Sequence, residues 1–339
     1  MAKKDLVQAK DAKKDEFYTQ LSDIEKELVH YREYFRDKVV FCNCDDPYES
    51  NFFKYFALNF NALGLKKLIA TCYDGSPIAQ QELPLFPEAE TEPKRKAYKV
   101  EISEVPDLDG NGSTDLTDVQ LLLKSSAHNV KAELKQNGSF DSPESIELLK
   151  EADIVVTNPP FSLFREFLAL LDKYNKQFII IGNTNALTYK ETFKMFQEDK
   201  IRTGYTNFNV GMYFQVPDSW EKFHHIENGK KMARVSTSCW FTNLPVSKHN
   251  EDLILIKHYT QEDYPKYDNY DAINVNTYTD IPCDFDGIIG VPVTFLDKYN
   301  PAQFEIIKFR KGDDDKDLTV NGKSPYFRIL IRNKKPQIS

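Results

Sequence analysis

The spacing of apolar residues changes character along the chain. Between residues 19 and 197, short apolar runs alternate with stretches in which apolar residues recur every three or four positions. Such runs predict buried strands, and the wider spacing predicts helices. Alternating strands and helices are typical of an α/β fold with a parallel sheet. The predicted strands are 39–42, 68–72, 153–157 and 177–181, and the predicted helices are 19–37, 50–63, 143–150, 163–172 and 188–197.

From Arg202 onward the pattern favours antiparallel strands separated by loops. A second departure is the stretch 82–124, where four prolines fall among charged residues. We therefore predict a first domain over residues 1–245 with an acidic insertion at about 82–130, and a smaller strand-rich region over 246–339. The strands predicted after Arg202 are 208–214, 233–244, 254–256, 288–291 and 327–331.

Charge limits the kinds of partner. The 339 residues include 44 Lys and Arg against 52 Asp and Glu, a formal net charge of -8, which argues against a protein that coats nucleic acid through bulk charge. The stretch 82–124 holds 10 acidic and 5 basic residues, so it contributes -5 and leaves only -3 for the rest. Residues 180–339 are balanced, with 21 of each sign, so a basic face for a polyanion is expected there.

Cysteine content and hydropathy point to the cytoplasm. Five scattered cysteines in a chain of this length are typical of a reduced protein. No apolar run approaches the roughly 20 residues that span a bilayer, so we expect a cytoplasmic protein without a membrane segment. Cys42 and Cys44 lack a second Cys or His pair at metal spacing, so the sequence predicts no zinc site.

Residues 153–161, Asp-Ile-Val-Val-Thr-Asn-Pro-Pro-Phe, lead from a predicted buried strand straight into a turn. Two prolines cannot continue a strand ladder, so they make a rigid turn at the carboxyl end of a parallel strand, where open α/β sheets bind ligands. The carboxamide oxygen of Asn158 and a main-chain carbonyl offer two acceptors to an NH2 group, and Phe161 offers a ring for stacking. This suits an exocyclic amine such as adenine N6, whose lone pair would be aimed at an electrophile. The alternative is a purely structural Pro-Pro turn.

Residues 158–161 resemble motif IV, Asp/Asn-Pro-Pro-Tyr/Phe, of the S-adenosylmethionine-dependent amino-methyltransferases. Residues 15–19 resemble motif X of the same enzymes, and residues 39–53 resemble motif I. Motif I usually has a Gly-rich loop, whereas residues 46–50 contain no Gly. In this chain motif X comes first and the target-recognition region last, an order that defines one group of these enzymes. Within that group the chain is similar to the EcoRI-type adenine-specific DNA methyltransferases.

The resemblance implies a Rossmann-like, S-adenosylmethionine-dependent methyltransferase sheet with helices on both faces, plus a smaller strand-rich target-recognition region. It also implies methyl transfer from S-adenosylmethionine to N6 of an adenine flipped out of a short site in double-stranded DNA, with no metal in the chemistry. The expected catalytic residues, which would hold the flipped adenine, are Asn158, Pro159, Pro160 and Phe161. The expected cofactor-binding residues are Phe17, Tyr18, Thr19, Asn43, Asp46, Asp74, Phe140 and Asp141.

Several of these assignments have structural alternatives. Asp46 could lie in a solvated turn. Asp74 is separated by Tyr73 from the strand end at which this fold usually places a ribose-binding acid. Asp141 could accept a hydrogen bond from the cofactor's adenine amine, but Asp141 or Ser142 could instead cap the helix that follows.

Residues that contact DNA are expected after the catalytic segment. Trp240 could form a second stacking wall for the target base, or it could simply be a core tryptophan. The stretch 222–234, punctuated by Gly and Asn, is a candidate DNA-facing loop because phosphate contacts need cationic side chains. The basic residues expected to contact DNA are Lys222, Lys230, Lys231 and Arg234.

The predicted insertion contains a candidate structural calcium loop. Oxygen-bearing residues stand at positions 1, 3, 5, 9 and 12, with Gly112 at position 6, and a predicted helix follows. Position 12 is Asp118 rather than the usual Glu, and no partner loop is visible, so an acidic turn is the alternative. The candidate ligands are Asp107, Asp109, Asn111, Asp115 and Asp118.

Two other functions fit the same residues. An Asn-Pro-Pro-Tyr turn also serves enzymes that modify RNA adenine or protein glutamine. A motif I without Gly is also compatible with a nucleic-acid-binding module that keeps the cofactor fold but catalyses no reaction. As partners of the favoured function we expect double-stranded DNA and either a cognate restriction endonuclease acting on the same site or, for an orphan methylase, no endonuclease, with the methyltransferase itself a monomer.

Overall fold

The computed structural model describes residues 18–44, 50–72, 97–124, 129–216, 220–221 and 223–337. The chain forms two compact units. Unit 1 comprises Met1–Asn183 and Gly204–Thr242, and unit 2 comprises Thr184–Thr203 and Asn243–Ser339. The segment 184–203 was predicted to belong to the first domain, but it lies in unit 2.

Both units mix helices and strands, so the mixed α/β class is confirmed. The helices of unit 1 are α1 (Leu21–Leu28), α2 (Asn51–Leu58), α3 (Phe60–Leu63), α4 (Leu116–Lys124), α5 (Pro143–Glu151) and α6 (Phe164–Lys173), and unit 2 contains α7 (Lys190–Gln197). The strands of unit 1 are β1 (Tyr18–Thr19), β2 (Val39–Cys42), β3 (Lys67–Cys72), β4 (Tyr98–Ile102), β5 (Asn129–Glu133), β6 (Ile154–Thr157), β7 (Gln177–Asn183), β9 (Met212–Gln215), β10 (His225–Glu227), β11 (Lys230–Val235) and β12 (Ser238–Thr242). Those of unit 2 are β8 (Arg202–Thr203), β13 (Ile273–Asn274), β14 (Ile288–Pro292), β15 (Phe304–Phe309) and β16 (Arg328–Asn333).

The large sheet of unit 1 has the strand order β5-β4-β3-β2-β6-β7-β12. Its four central strands, β3, β2, β6 and β7, run parallel, as the alternation of strands and helices predicts. Strands β2 and β6 are buried at every position, because both faces of a parallel sheet are covered and every residue of the two strands except Thr157 is apolar. The prediction of a parallel sheet is therefore confirmed.

A small antiparallel sheet, of order β1-β9-β11-β10, accounts for the change of pattern after residue 202. Its β10–β11 hairpin turns at Asn228 and Gly229, which both have positive φ, 47° and 76°. Asn-Gly is the pair that favours such a two-residue hairpin turn. Through β1 this sheet joins the N-terminal segment to the middle of the chain.

The stretch predicted as an insertion contributes part of the sheet. Strand β4 pairs antiparallel with β3, and β5 pairs antiparallel with β4. The side chains of Val100 and Ile102 on β4 are fully buried, as is that of Leu122 on α4. The prolines and charges that suggested an insertion therefore flank an alternating strand, Tyr-Lys-Val-Glu-Ile, whose apolar positions face inward.

Unit 2 carries a four-stranded sheet of order β13-β14-β16-β15. Strand β13 is parallel to β14, and the other two pairings are antiparallel. Part of its core is a cluster of Tyr267, Ala272, Leu318 and Leu330. The strand predicted at 254–256 is wrong: Ile254 and Ile256 are 89% and 73% exposed and pair with no strand among the described residues.

The helix predicted at 19–37 divides in two. Helix α1 ends at Leu28, and Val29–Phe35 continues as a 3-10 helix. The predicted apolar face is nevertheless kept across both helices, since four of its residues are fully buried: Ile24, Leu28, Tyr31 and Phe35. None of the helices in the described segments is long and apolar enough to cross a membrane.

Truncation of Ile102 tests whether β4 belongs to the core. We expect Ile102→Ala to lower the free energy of unfolding by about 2–5 kcal/mol, because a fully buried side chain leaves a cavity. Ile256→Ala is the matched control, since the same atoms are removed from an exposed site and the change should stay within about 0.5 kcal/mol. Chemical denaturation measures both. Equal, small losses would mean that β4 is a surface appendage.

Candidate active site

The centre of the site is the junction between β2 and β6. The chain leaves β2 for β3 on one side and leaves β6 for β7 on the other, so their carboxyl ends flank the point at which strand order reverses. At that end Thr157 Oγ1 donates a hydrogen bond to the carbonyl oxygen of Asn43. At the opposite end the amide of Val39 donates to Asp153 Oδ2 at 2.8 Å, and the amide of Asp153 donates to the Val39 carbonyl at 2.9 Å. The two strands are thus fastened at both ends.

The predicted catalytic turn, residues 158–161, begins directly after β6, which ends at Thr157. Asn158 is buried, 9% exposed, and a 3-10 turn, Phe161–Leu163, leads from the two prolines into α6. The amide of Leu163 donates to the Pro160 carbonyl at 3.0 Å, which closes this turn. The Phe161 ring is half-buried and lies edge-on to Phe214, with 6.2 Å between ring centroids.

Asn43 supplies the second polar group of the junction. Its side chain is fully buried, and neither Nδ2 nor Oδ1 has a hydrogen-bond partner among the described residues. Leaving a buried donor or acceptor unpaired costs about 1–3 kcal/mol, so such groups normally have partners. A carboxamide with both atoms available therefore indicates a polar ligand at the end of β2.

Strand β1 brings the predicted motif X to the same region. Asn51 at the start of α2 donates from Nδ2 to the Thr19 carbonyl at 2.8 Å. Thr19 is paired with Phe214 across the small sheet, and Phe214 contacts Phe161. Thr19 is buried, and its Oγ1 has no partner among the described residues. The structure thus brings Tyr18 and Thr19 beside the turn and the start of α2.

Gly138 holds the segment that contains the expected cofactor-binding residues Phe140 and Asp141 beside the carboxyl end of β3. Its φ is +73°, and a Cβ atom there would lie only 2.5 Å from the carbonyl oxygen of Cys72. Phe140 follows, buried edge-on against Phe167 with 5.1 Å between centroids. Asp141 is exposed and accepts a hydrogen bond from the Ser139 hydroxyl. The alternative assignment is confirmed for Ser142, whose side chain caps α5.

Other expected residues take different places. Phe17, Asp46, Asp74 and Lys222 lie outside the described residues. Trp240 is fully buried, contacts Phe52 edge-on and donates from Nε1 to Asn207 Oδ1 at 3.2 Å. No face of its ring is open to a base, so the structure favours the core alternative over the stacking wall.

The basic residues of the β10–β11 hairpin differ in how far their charged groups are exposed. Lys230 and Arg234 are exposed on β11. Lys231 is half-buried: its Nζ donates to the Trp220 carbonyl at 3.0 Å and lies 5.2 Å from the centre of the Phe223 ring. The exposed positive charge of this strand is therefore concentrated on Lys230 and Arg234.

Several basic residues of unit 2 are matched by acids. Arg310 and Lys311 both pair with Asp317, and the Arg310 hydrogen bond, followed by that of Lys311, lowers the pKa of the Asp317 carboxyl to about 2. Lys335 pairs with Asp252 at 2.7 Å. The basic face expected in the second half of the chain is therefore partly neutralised in unit 2.

Three carboxylates of the candidate calcium loop lie close together. Carboxylate oxygens of Asp107, Asp109 and Asp118 lie within 4.8 Å of one another. Asp118 accepts hydrogen bonds from the amides of Asp115, at 2.9 Å, and Leu108, at 2.6 Å. The Asp115 amide in particular holds the pKa of the Asp118 carboxyl below its usual range. Asn111 donates from Nδ2 to both Asp109 and Asp115. Calcium binding by this loop stays a prediction.

Sequence reasoning missed four residues that shape the site. Thr157 and Gly138 fix the ends of β6 and β3, Asn51 ties α2 to Thr19, and Phe214 backs Phe161. Only Gly138 carried a usable signal, since glycine adopts a positive φ without the steric cost that other residues have. The other three act through partners distant in sequence, which no local pattern reveals.

Comparison with known proteins agrees with this geometry. The sequence model of a family described as "Adenine-specific methyltransferase EcoRI" matches residues 5–334. The chain is 50% identical to the type II methyltransferase M.EcoRI of Escherichia coli over 98% of this chain and 97% of that protein. It is 37% identical to M.MgeORF184P of Mycoplasma genitalium and 35% identical to M.MpnI of Mycoplasma pneumoniae, each over at least 96% of both chains. No solved structure matches. The chain therefore belongs to the EcoRI family of adenine-specific methyltransferases.

Proposed function

We propose that this adenine-specific DNA methyltransferase uses a Rossmann-like sheet to move a methyl group from S-adenosylmethionine to N6 of an adenine flipped out of a short duplex site. The observation that carries the proposal is the junction of β2 and β6. There the buried Asn158 turn lies next to Asn43. The Asn43 carboxamide is buried and has no hydrogen-bond partner among the described residues. Open α/β sheets bind their ligands at such a reversal of strand order.

The residues around the junction fit the cofactor. Asn43 offers one donor and one acceptor and Thr19 a hydroxyl, which suit the ammonium and carboxylate of the methionine part. Phe140 and Asp141 lie beside the end of β3, where an adenine ring could pack and an exocyclic amine could donate. When bound, S-adenosylmethionine supplies a methyl carbon made electrophilic by its sulfonium. Asp46 and Asp74 are proposed for the same site from the family resemblance.

The catalytic turn would hold and activate the target amine. The Asn158 carboxamide oxygen and a main-chain carbonyl accept the two N6 hydrogens, which draws the lone pair of N6 out of conjugation and directs it at the methyl carbon. Pro159 and Pro160 keep these acceptors fixed, since each ring locks φ. Phe161 stacks on the base and is itself supported by Phe214. After transfer, N6 gives up one proton to solvent.

DNA binding would use the small sheet of unit 1. A base inside a duplex hides N6, so the adenine must leave the stack at a cost of a few kcal/mol. The exposed Lys230 and Arg234 would contact phosphates, and such contacts supply affinity without sequence information. Lys231 on the same strand is proposed for the same role, and Lys222 is proposed from the sequence alone. We further propose that the protein works as a monomer in the cytoplasm, together with a cognate endonuclease.

Replacement of Asn158 tests the catalytic assignment. We expect Asn158→Ala to lower kcat by about 100- to 1000-fold, the usual effect of removing one preorganised hydrogen-bonding group from a transition state. The affinity for S-adenosylmethionine should change little, because Asn158 would contact the base rather than the cofactor. Single-turnover methylation of DNA and equilibrium cofactor binding measure the two effects.

Asn158→Asp is the matched control, since it keeps an acceptor oxygen in a side chain of the same shape. It should retain more activity than Asn158→Ala. Unchanged turnover in the alanine variant would remove Asn158 from its assigned role, and equal losses in both variants would show that acceptance of hydrogen bonds is not what the side chain contributes.

Gly138 tests the cofactor's adenine site. A methyl group in Gly138→Ala would collide with the Cys72 carbonyl at 2.5 Å and displace Phe140 and Asp141. We expect weaker binding of S-adenosylmethionine, seen as a raised Kd. Gly322→Ala is the control, because Gly322 has the same positive φ, +72°, with nothing within 4 Å of the added methyl. It should leave the Kd unchanged, and an unchanged Kd in Gly138→Ala would contradict the placement of the adenine ring.

A further inference from the structure

Two distant segments of unit 2 are held side by side by backbone hydrogen bonds. The amide of Cys283 donates to the Lys257 carbonyl at 2.8 Å, and Lys257 forms an isolated parallel bridge with Pro282. The amide of Tyr259 donates to Asp284 Oδ1 at 2.8 Å. The backbone itself therefore fixes which side chains of the two segments meet.

Three side chains converge at this contact. His258 Nδ1 lies 3.0 Å from Asp284 Oδ2 and 3.8 Å from Cys283 Sγ, and the three atoms all lie within 4.8 Å of one another. A nucleophile, base and orienting acid would use both nitrogens of the imidazole. Here the thiol and the carboxylate approach the same nitrogen, so the arrangement does not fit a hydrolytic triad.

The donor set fits a borderline-soft divalent cation. Thiolate, imidazole and carboxylate are the ligands of Zn²⁺, at about 2.3, 2.0–2.1 and 2.0–2.2 Å respectively. In a tetrahedral site these lengths separate the ligand atoms by about 3.4–3.6 Å. The observed 3.0 and 3.8 Å are within a few tenths of an ångström of that. A thiolate, a carboxylate and a neutral imidazole would also balance the charge of a divalent ion, whereas Ca²⁺ and Mg²⁺ prefer oxygen alone.

We propose that His258, Cys283 and Asp284 form a zinc-class metal site that cross-links the two segments of unit 2. The ion takes the place of the hydrogen bond between His258 and Asp284, and the Cys283 thiol releases its proton to solvent as it becomes a thiolate. Cys283 is only 3% exposed, whereas the side chain of His258 is 74% exposed, so the ion enters from the histidine side and keeps water as its fourth ligand. Such a site is structural and plays no part in methyl transfer.

Cobalt titration of the reduced, chelator-treated full chain tests the proposal. We expect one equivalent of Co²⁺ to bind with the absorption band of a cobalt thiolate, and Zn²⁺ to displace it. Zn²⁺ should also raise the Tm, because it binds the folded arrangement of ligands. Absence of a thiolate band would overturn the site.

Substitutions assign the band to these residues. Loss of an outer-shell partner lowers metal affinity by ~10- to 100-fold, so His258→Ala, which removes a direct ligand, should lower the affinity for cobalt by more than that. Cys283→Ser should remove the thiolate band. His258 is exposed, so its variant should fold, and a retained band in it would contradict the proposal. His225→Ala and Cys44→Ser are the matched controls and should bind cobalt as the unaltered chain does. Loss of the band in Cys44→Ser alone would place the metal elsewhere.

Discussion

The pairing of β2 with β6 fixes where the functional residues of unit 1 can lie. The two strands are buried along their length, in register from Val40 opposite Ile154, and hydrogen bonds fasten both ends. The Thr157 hydroxyl contributes on the order of 1 kcal/mol to stability, but its geometric effect is larger. It sets the distance between Asn43 and the Asn158 turn, so the proposed cofactor site and base site are positioned by one contact.

The small antiparallel sheet provides the second constraint. Thr19 on β1 lies opposite Phe214 on β9, and Phe214 contacts Phe161 in the proposed catalytic turn. The β10–β11 hairpin with its exposed Lys230 and Arg234 belongs to the same sheet. One sheet therefore connects the proposed N-terminal cofactor segment, the proposed catalytic turn and the proposed DNA-binding surface.

Local sequence predicts those features whose cause is local. The buried parallel strands, the Asn-Pro-Pro-Phe turn and the Ser142 cap follow from apolar runs, proline geometry and capping chemistry. Trp240 could not be assigned, because whether a ring faces a ligand or the core depends on Phe52 and Asn207, which are far away in sequence. The strand predicted at Ile254–Ile256 failed for the same reason: an apolar run becomes a strand only where a neighbour pairs with it.

Proline and charge density concealed β4, since prolines and charged residues flank it in the sequence although the strand itself alternates. The metal-ligand cluster of unit 2 also escaped prediction. Zinc motifs are recognised by close spacing, whereas His258 and Cys283 are brought together only by the bridge between Lys257 and Pro282.

Transfer of a labelled methyl group is the most direct test of the proposed methyltransferase function. The purified chain is incubated with labelled S-adenosylmethionine and, separately, with duplex DNA, RNA and protein, and the modified nucleosides are then identified. We expect label in duplex DNA at N6 of adenine. Absence of label from DNA, or label in RNA or protein instead, would contradict that function.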